Sequence, residues 1–260
     1  MNIVYNEDCL VGMKKIPDGS IDFIFTDLPY GVLNTGNKSS AWDTPIDLPR
    51  LWEQYWRIIK PGGVVALFGQ GMFTSDLMQS QRQYWRYNWT WEKTDGVTGF
   101  LNAKKAPLRC TEDICIFYQK LGTYNPQMEH NTGRFNHKQK FMSGGNKCYG
   151  KVTRTEPGEV TDSHYPKDIL RYPRDNARGA LYPAQKPVEL CRYIIRTYSN
   201  PGETVVDSCV GSGSSRIAAY EENRNYIGFE MNPDTFRLQE ERFETHAAQV
   251  SFFVEGRADE

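Results

Sequence analysis

Long hydrophobic segments are missing from this sequence, which contains no run of the roughly 20 apolar residues that a transmembrane helix needs. The N-terminus also lacks the basic flank and apolar run of a signal peptide. The six cysteines are scattered, without a C-x-x-C pair or a histidine at zinc-ligand spacing, so we expect neither disulfides nor a metal site. These absences predict a cytoplasmic protein with reduced thiols and no membrane partner.

Net charge is also nearly absent, since 31 basic and 32 acidic residues leave the chain at −1. The charges are unevenly distributed, because residues 93–196 contain 18 basic and 10 acidic residues and the remainder of the chain is acidic. A basic central segment within an acidic chain is typical of a surface that contacts nucleic-acid phosphates. The charge pattern therefore favours a nucleic-acid partner despite the low net charge.

The order of the hydrophobic patterns predicts an α/β fold. A β-branched and aromatic run at 20–26 predicts a buried strand, the apolar spacing over 48–59 predicts a helix, and 64–68 again predicts a strand. Later segments continue the pattern, with a helix from 187, a strand at 204–207, a helix at 214–223 and a strand at 226–230. Strands that alternate with helices are typical of a parallel sheet.

A loop with two glycines joins the 204–207 strand to the following helix. Asp207 is followed by Ser-Cys-Val-Gly-Ser-Gly, which ends at Gly213, and Glu230 closes the next strand. Glycines let the backbone approach a ligand, and a carboxylate at the neighbouring strand end can accept both ribose hydroxyls of a nucleoside. A dinucleotide fingerprint requires a small residue where Arg216 stands, so S-adenosylmethionine, which has no phosphate, fits better than NAD.

The tetrapeptide Asp27-Leu28-Pro29-Tyr30 follows the first predicted strand. An exocyclic amino nitrogen of a nucleobase is a poor nucleophile because its lone pair is delocalised into the ring, so a catalyst should accept hydrogen bonds from its two N–H groups. The Asp27 carboxylate and the Leu28 carbonyl can accept them. Pro29 stiffens the turn, and Tyr30 offers a ring on which an extruded base can stack. We therefore expect these four residues to form the catalytic motif.

Four segments resemble one known family. Residues 27–30 resemble the Asp-Pro-Pro-Tyr signature of amino-group DNA methyltransferases, and residues 206–215 resemble their S-adenosylmethionine loop. The Tyr-Pro-Ala-Gln-Lys-Pro segment at 182–187 is similar to their His-Pro-Thr-Gln-Lys-Pro element, and Asn-Glu-Asp-Cys at 6–9 resembles their N-terminal Gly-Asp-Cys. The catalytic segment precedes the cofactor loop, as in the permuted β group of the family.

The resemblance covers residues 1–120 and 180–245 and implies a Rossmann-like methyltransferase fold, a seven-stranded, mostly parallel sheet with helices on both faces. It implies a catalytic part at 1–120, a target-recognition insertion at 121–181 and a cofactor-binding part of the same domain at 182–260. The residues that it places at or near S-adenosylmethionine are Asp8, Cys9, Lys186, Asp207, Gly211, Ser212, Gly213 and Glu230. Members of the family often form dimers, so a homodimer is a further expectation, although the sequence shows no dimer signature.

The chain departs from the family pattern at several positions. Leu28 replaces the first proline of the signature, which should be tolerated because only the backbone carbonyl acts there. Ser208 and Cys209 replace a Pro-Phe pair, which removes an aromatic side chain near the cofactor and should change the cofactor affinity rather than the chemistry. Tyr182 replaces a histidine.

Basic residues interleaved with aromatic ones are expected to contact double-stranded DNA, since lysine and arginine neutralise phosphates and polar side chains read base edges. The candidates are Lys104, Lys105, Arg109, Lys138, Lys140 and Lys147. Three of them lie in the 121–181 segment, whose lack of periodicity is typical of a functional or disordered insertion.

The sequence thus predicts an S-adenosylmethionine-dependent DNA methyltransferase that acts on N6 of adenine in a specific DNA sequence by base flipping. Family members that act on N4 of cytosine usually begin the tetrapeptide with serine, so Asp27 favours adenine and leaves cytosine as the alternative. A second alternative is a DNA-binding protein that keeps the scaffold without turnover. The intact Asp27, Tyr30 and Glu230 argue against it.

Overall fold

The computed structural model describes residues 1–32, 43–130, 163–175 and 184–255, with side chains described up to residue 250. The chain divides into two compact units, one formed by residues 1–125 and 168–260 and the other by residues 126–167. In the described part of the smaller unit, Glu129 and His130 pair with Ser163 and His164 as two short antiparallel strands. These strands are β6 and β7 in chain order.

The larger unit is built on an eight-stranded sheet. In spatial order its strands are β1 (Asn2–Tyr5), β10 (Asn225–Phe229), β9 (Thr204–Asp207), β2 (Ile21–Thr26), β3 (Ile59–Gly69), β5 (Thr111–Phe117), β4 (Trp85–Lys93) and β8 (Ile169–Tyr172). Neighbours pair in parallel except where β5 meets β3 and β4. Seven of these strands therefore end at one edge of the sheet, and β5 begins at that edge.

Helices cover both faces of the sheet. One face packs against α1 (Cys9–Gly12), α2 (Leu48–Ile58) and α3 (Met72–Ser80), and the other against α4 (Val188–Tyr198), α5 (Ser214–Glu221) and α6 (Pro233–Glu255). Successive strand residues point to opposite faces, so Phe23 and Phe25 of β2 join one core while Ile24 joins the other. None of the described helices is both long enough and apolar enough to cross a membrane.

The start of β3 differs from the prediction. The proline and glycines at 61–63 predict a turn between the helix at 48–59 and the strand at 64–68. In the structure, α2 ends at Ile58 and β3 begins at the next residue. Ile59 pairs with Ile21 and Val64 with Phe23, so the intervening Lys-Pro-Gly-Gly segment forms a bulge within the strand. The pairing of Ile59 with Ile21 of β2 thus places the predicted turn inside the strand.

The sheet contains one strand more than the seven predicted. β8 lies beside β4, with Thr90 paired to Ile169 and Lys93 to Tyr172, and the Trp91 indole donates to the Tyr172 carbonyl at 3.0 Å. This strand belongs to the 121–181 segment, in which no regular element was expected. It is four residues long and buries only its Leu170, so its hydrophobic pattern is too short to recognise.

Candidate active site

Four neighbouring parallel strands bring the predicted site residues to one edge of the sheet. Asp8 lies in the connection after β1, Glu230 follows β10, the glycine loop follows β9 and the tetrapeptide follows β2. A cavity of about 720 Å³ lies at this edge, a size that suits a small-molecule ligand. Its walls include Asp8, Cys9, Lys186, Asp207, Gly211, Ser212 and Glu230 of the predicted cofactor set, and Asp27, Leu28 and Pro29 of the tetrapeptide.

Asp27 is the central acceptor of the tetrapeptide, and both of its carboxylate oxygens are hydrogen-bonded. Oδ1 accepts from the Tyr30 hydroxyl at 2.9 Å, and Oδ2 accepts from Lys186 Nζ at 2.5 Å. The Tyr30 ring stacks on Phe73 of α3, with the two centroids 5.0 Å apart. Each carboxylate oxygen has a further lone pair, so Asp27 can still accept a hydrogen bond from an amino group in the cavity.

Lys186 joins Asp27 to a second carboxylate. Its Nζ lies 3.3 Å from Glu112 Oε2, and Glu112 Oε1 accepts from Lys93 Nζ at 2.6 Å. Lys93 is the last residue of β4 and Glu112 the second residue of β5, so both lie at the edge of the sheet that carries the cavity. We call Asp27, Lys186, Glu112 and Lys93 the charge network, in which two carboxylates and two ammonium groups balance.

Burial and neighbouring charge act in opposite directions on these groups. Burial raises the pKa of Asp27, and the ammonium of Lys186 partly offsets that rise. Burial alone would raise the pKa of Glu112, but Lys186 and Lys93 outweigh it and lower the pKa. Burial alone would lower the pKa of Lys186, but Asp27 and Glu112 outweigh it and raise the pKa. Lys186 is therefore protonated at neutral pH and favours the ionised form of Asp27.

The glycine loop after β9 is shaped by its two glycines and by Glu230. Gly211 and Gly213 have φ angles of +53° and +79°, a backbone conformation that side chains disfavour. Glu230 Oε2 accepts from the Gly211 backbone N–H at 3.0 Å, and Oε1 accepts from the Asn232 N–H at 2.8 Å. The carboxylate is thereby fixed against the loop, with lone pairs left for the hydroxyls of a ligand.

Asp207 has a different environment from the other predicted cofactor residues. Its carboxylate is buried and accepts hydrogen bonds from the hydroxyls of Thr26 and Ser215 at 2.6 and 2.5 Å. It also accepts from the Cys209 backbone N–H at 2.9 Å and the Tyr226 hydroxyl at 3.3 Å. These donors come from two strands, the loop and α5, so Asp207 fixes the position of the loop in the cavity wall.

The remaining predicted cofactor residues lie at the start of α1. Asp8 caps this helix, because its Oδ1 accepts from the backbone N–H two residues later at 2.7 Å. Cys9 forms a side-chain hydrogen bond with Cys209, which together with burial raises the pKa of the Cys209 thiol. Ser208, one of the departures from the family pattern, hydrogen-bonds to the Tyr55 hydroxyl of α2. A buried polar pair thus lies in this part of the wall.

The predicted DNA-binding residues fall into two groups. Lys104, Lys105 and Arg109 are exposed in the loop between β4 and β5. Lys138, Lys140 and Lys147 lie outside the described residues. Within the part of the chain that the structure describes, no group of three or more histidine, cysteine, aspartate or glutamate side chains is arranged to hold a metal ion.

Sequence reasoning missed Glu112 and Lys93 and gave Lys186 a place near the cofactor rather than a contact with Asp27. Glu112 and Lys93 belong to no motif, and only the antiparallel pairing of β4 with β5 brings them together. The sequence offers at most an indirect signal, since each is a charged residue at the end of an alternating apolar stretch, Lys93 in β4 and Glu112 in β5.

Comparison with known proteins identifies the family. The family model of the N6 and N4 methyltransferases, a family described as DNA methylase, matches residues 21–241 of this chain. The chain belongs to this DNA methylase family. The DNA adenine methyltransferase YhdJ of Escherichia coli K12 is 28% identical over 249 residues, which cover 90% of this chain and 80% of YhdJ. The Type II methyltransferase M.HpaI of Haemophilus parainfluenzae is 24% identical over 247 residues, which cover 92% of this chain and 73% of M.HpaI.

Solved structures of DNA methyltransferases share the fold of this methylase. The cytosine-N4-specific PvuII DNA methyltransferase matches with a TM-score of 0.65 and 15% identity, over 94% of this chain and 86% of that chain. The M1.HpyAVI–SAM complex matches with a TM-score of 0.59 and 18% identity, over 93% of this chain and 100% of that chain. These matches confirm the methyltransferase fold, and the family match confirms the resemblance on which it was predicted.

Proposed function

We propose that this DNA methylase transfers a methyl group from S-adenosylmethionine to N6 of adenine in double-stranded DNA. One observation carries the proposal: Asp27 and Glu230 line the same cavity, the first within the charge network and the second against the glycine loop. A base amino group held by Asp27 and a nucleoside held by Glu230 would meet inside this cavity. Direct transfer requires such a meeting, because the nitrogen must reach the methyl carbon in line with the departing sulfur.

The charges of the cavity wall favour a cationic cofactor. The acidic lining residues are Glu7, Asp8, Asp27, Asp47, Asp207 and Glu230, and the basic ones are Arg50 and Lys186. Such a wall repels phosphates and attracts the sulfonium and ammonium groups of S-adenosylmethionine. Arg216, which stands in the position of the third small residue of a dinucleotide site, pairs with Glu240 of α6 at 2.8 Å and is buried. Its charge is therefore directed away from the cavity.

The tetrapeptide prepares the amino group for attack. The Asp27 carboxylate and the Leu28 carbonyl accept the two N–H groups, which frees the nitrogen lone pair from the ring. When bound, S-adenosylmethionine supplies an activated methyl group. As the nitrogen–carbon bond forms, the carbon–sulfur bond breaks with its electron pair on sulfur, and the nitrogen releases one proton. We assign the acceptance of this proton to Asp27, whose ionised form Lys186 favours.

Adenine is the proposed target because the tetrapeptide begins with aspartate. N4 of cytosine is the second candidate, since a cytosine-N4-specific enzyme is among the proteins of the same fold. Asp27 lies in the wall of a cavity, and enzymes that modify a base cannot reach the target atom while it is inside the duplex. We therefore propose that the target base is extruded from the helix before methylation.

Single-base mapping of methylated positions tests this function. The protein and its Asp27→Ala variant are expressed in a host without DNA methylation of its own, and the genomic DNA is sequenced for modified bases. N6-methyladenine at one recurrent sequence in the native sample alone supports the proposal. N4-methylcytosine would select the second candidate, and unmodified DNA combined with DNA binding by the pure protein would indicate a scaffold without turnover.

A further inference from the structure

The loop between β4 and β5 is a preformed projection, here called the finger and defined as residues 96–110. Thr98 and Arg109 close its stem through two backbone hydrogen bonds of 2.7 and 3.0 Å. A short 3-10 helix, Phe100–Asn102, forms its tip, and the Asn102 carbonyl accepts from the Lys105 N–H at 2.8 Å. The finger therefore has its own backbone hydrogen bonds at the stem and at the tip.

The tip exposes large apolar side chains. Phe100 is 71% exposed and Leu101 is 87% exposed, and Val97 and Leu108 of the stem are exposed as well. Adjacent exposed apolar side chains on a soluble protein commonly mark a site that contacts a partner. The arrangement therefore indicates a ligand with an apolar interior that can accept two side chains.

The charges of the finger indicate an anionic partner. It contains Lys104, Lys105 and Arg109 and no acidic residue, so its charge is positive throughout. A partner that combines an anionic exterior with an apolar interior is a nucleic acid, in which phosphates surround stacked bases. Apolar side chains inserted between base steps, flanked by cations on phosphates, are a known mode of DNA binding.

The finger rises from the edge of the sheet that carries the cavity. Its two ends continue into Lys93 of β4 and Glu112 of β5, which are joined at 2.6 Å. Glu112 lies 3.3 Å from Lys186, which lies 2.5 Å from Asp27. The base of the finger is therefore linked by the charge network to the group proposed to hold the target base.

From these observations we propose that Phe100 and Leu101 enter the base stack and occupy the space that the extruded target base leaves. Lys104, Lys105 and Arg109 bind the flanking phosphates and thereby hold the finger against the DNA. The inference rests on the proposed methylation of an extruded base. The finger, which lies outside the tetrapeptide and the cofactor loop, would thus be the part of the chain that opens the duplex.

The test compares a Phe100→Ala/Leu101→Ala variant with the native protein on two oligonucleotide duplexes. Both carry the mapped recognition sequence, and in one of them the target base faces a mismatched base. Extrusion of a mispaired base costs less, so it needs less help from the finger. Ile3→Ala is the matched control, because Ile3 is an exposed apolar residue of β1, the strand at the far end of the sheet from β4, and it does not line the cavity.

We expect the double variant to lose about tenfold or more in single-turnover rate on the paired duplex, since one stacked side chain contributes about that factor. On the mispaired duplex it should stay within about threefold of the native protein. Its affinity for S-adenosylmethionine should be unchanged, because neither residue lines the cavity. Ile3→Ala should match the native protein on both duplexes.

Equal losses on both duplexes, or no loss on either, would overturn the inference. Light scattering measures the mass of each variant, and the predicted homodimer is tested in the same run. A double variant that falls from dimer to monomer while still opening the paired duplex would assign the finger to a second copy of the chain and overturn the proposal. If the native protein methylates neither duplex, the proposed function itself has failed, which is a different result from a defect of the variant.

Discussion

Replacing Lys186 with methionine should shift the pH dependence of methyl transfer, because the rate depends on the ionisation of Asp27. Lys186 Nζ lies 2.5 Å from Asp27 Oδ2 and 3.3 Å from Glu112 Oε2, and the lysine side chain is 11% exposed. Methionine keeps much of the apolar stem and removes the charge. Asp27 then retains only the Tyr30 hydroxyl as a side-chain donor, whereas Glu112 retains Lys93.

The size of the effect follows from the distance between the charges. An opposite charge within about 4–6 Å typically lowers the pKa of a carboxyl group by about 1–3 units. Lys186 Nζ lies well within that distance of Asp27. Removal of its charge should therefore raise the pKa of Asp27 in the variant, in the same direction as burial does.

The sign of the pH dependence follows from the role of the carboxylate. Asp27 accepts the amino N–H group best when ionised, and its ionised fraction falls as the pH drops through its pKa. Because the pKa is higher without Lys186, activity is lost at a higher pH than in the native protein. The acid limb of the rate profile should therefore move up by about 1–3 pH units, with the rate recovering at alkaline pH.

Single-turnover methyl transfer from about pH 5 to about pH 9, with saturating cofactor and oligonucleotide, measures this limb. Lys186→Arg keeps the charge and should keep the native limb. Lys60→Met is the matched control, since Lys60 forms a comparable 2.6 Å ion pair with Asp22 at the start of β3, away from the cavity. An unshifted acid limb in Lys186→Met would refute the reasoning. If cofactor binding is weakened as well, Lys186 acts on the cofactor rather than on Asp27.

The other variants separate the proposed roles within the site. Glu230→Ala should weaken S-adenosylmethionine binding, measured by calorimetry without DNA, by about 1–3 kcal/mol, and an unchanged affinity would remove Glu230 from the cofactor site. Asp27→Ala should abolish turnover and leave cofactor binding intact, whereas Asp27→Asn keeps an acceptor oxygen and should retain part of the rate; a native rate in Asp27→Ala would disprove its role. Tyr30→Phe should cost about 0.5–1.5 kcal/mol in the single-turnover barrier by removing a donor to Asp27. Tyr30→Ala should cost about 1–3 kcal/mol more through lost stacking, so equal damage would exclude the ring as a platform. Reversing the charges of Lys104 and Lys105 should reduce the log–log salt slope of DNA binding by about 0.9 for each lost phosphate contact, and an unchanged slope would place DNA elsewhere.

Four strands of the parallel sheet could be predicted, since β2, β3, β9 and β10 each contain a short apolar run bounded by turn signals. The strand predicted at 204–207 coincides with β9, and the strand predicted at 20–26 matches β2 to within one residue. The loops that follow them hold the tetrapeptide and the two glycines, so topology alone brings both to one edge. The target-recognition role of residues 121–181 stays a prediction.

The charge network could not be predicted because it depends on pairings between distant segments. Glu112 and Lys93 meet through the antiparallel contact of β5 with β4, and Lys186 reaches both Glu112 and Asp27 from the segment before α4. Hydrophobic periodicity indicates where a strand lies, but it does not indicate which strand becomes its neighbour. A charged residue at a strand end therefore gains its role only when the strand order is known.

Asp27 and Asp207 illustrate how donors divide the roles of two carboxylates at neighbouring strand ends. The donors to Asp207 are hydroxyl groups of β2, α5 and β10 and one backbone amide of the glycine loop. These neutral donors hold the buried carboxylate from several sides. Asp27 instead accepts from two side chains, those of Lys186 and of Tyr30 in its own turn, and each of its oxygens keeps a further lone pair at the cavity wall. We infer that Asp207 acts on the cofactor through the shape of the loop, while Asp27 acts on the base by direct contact.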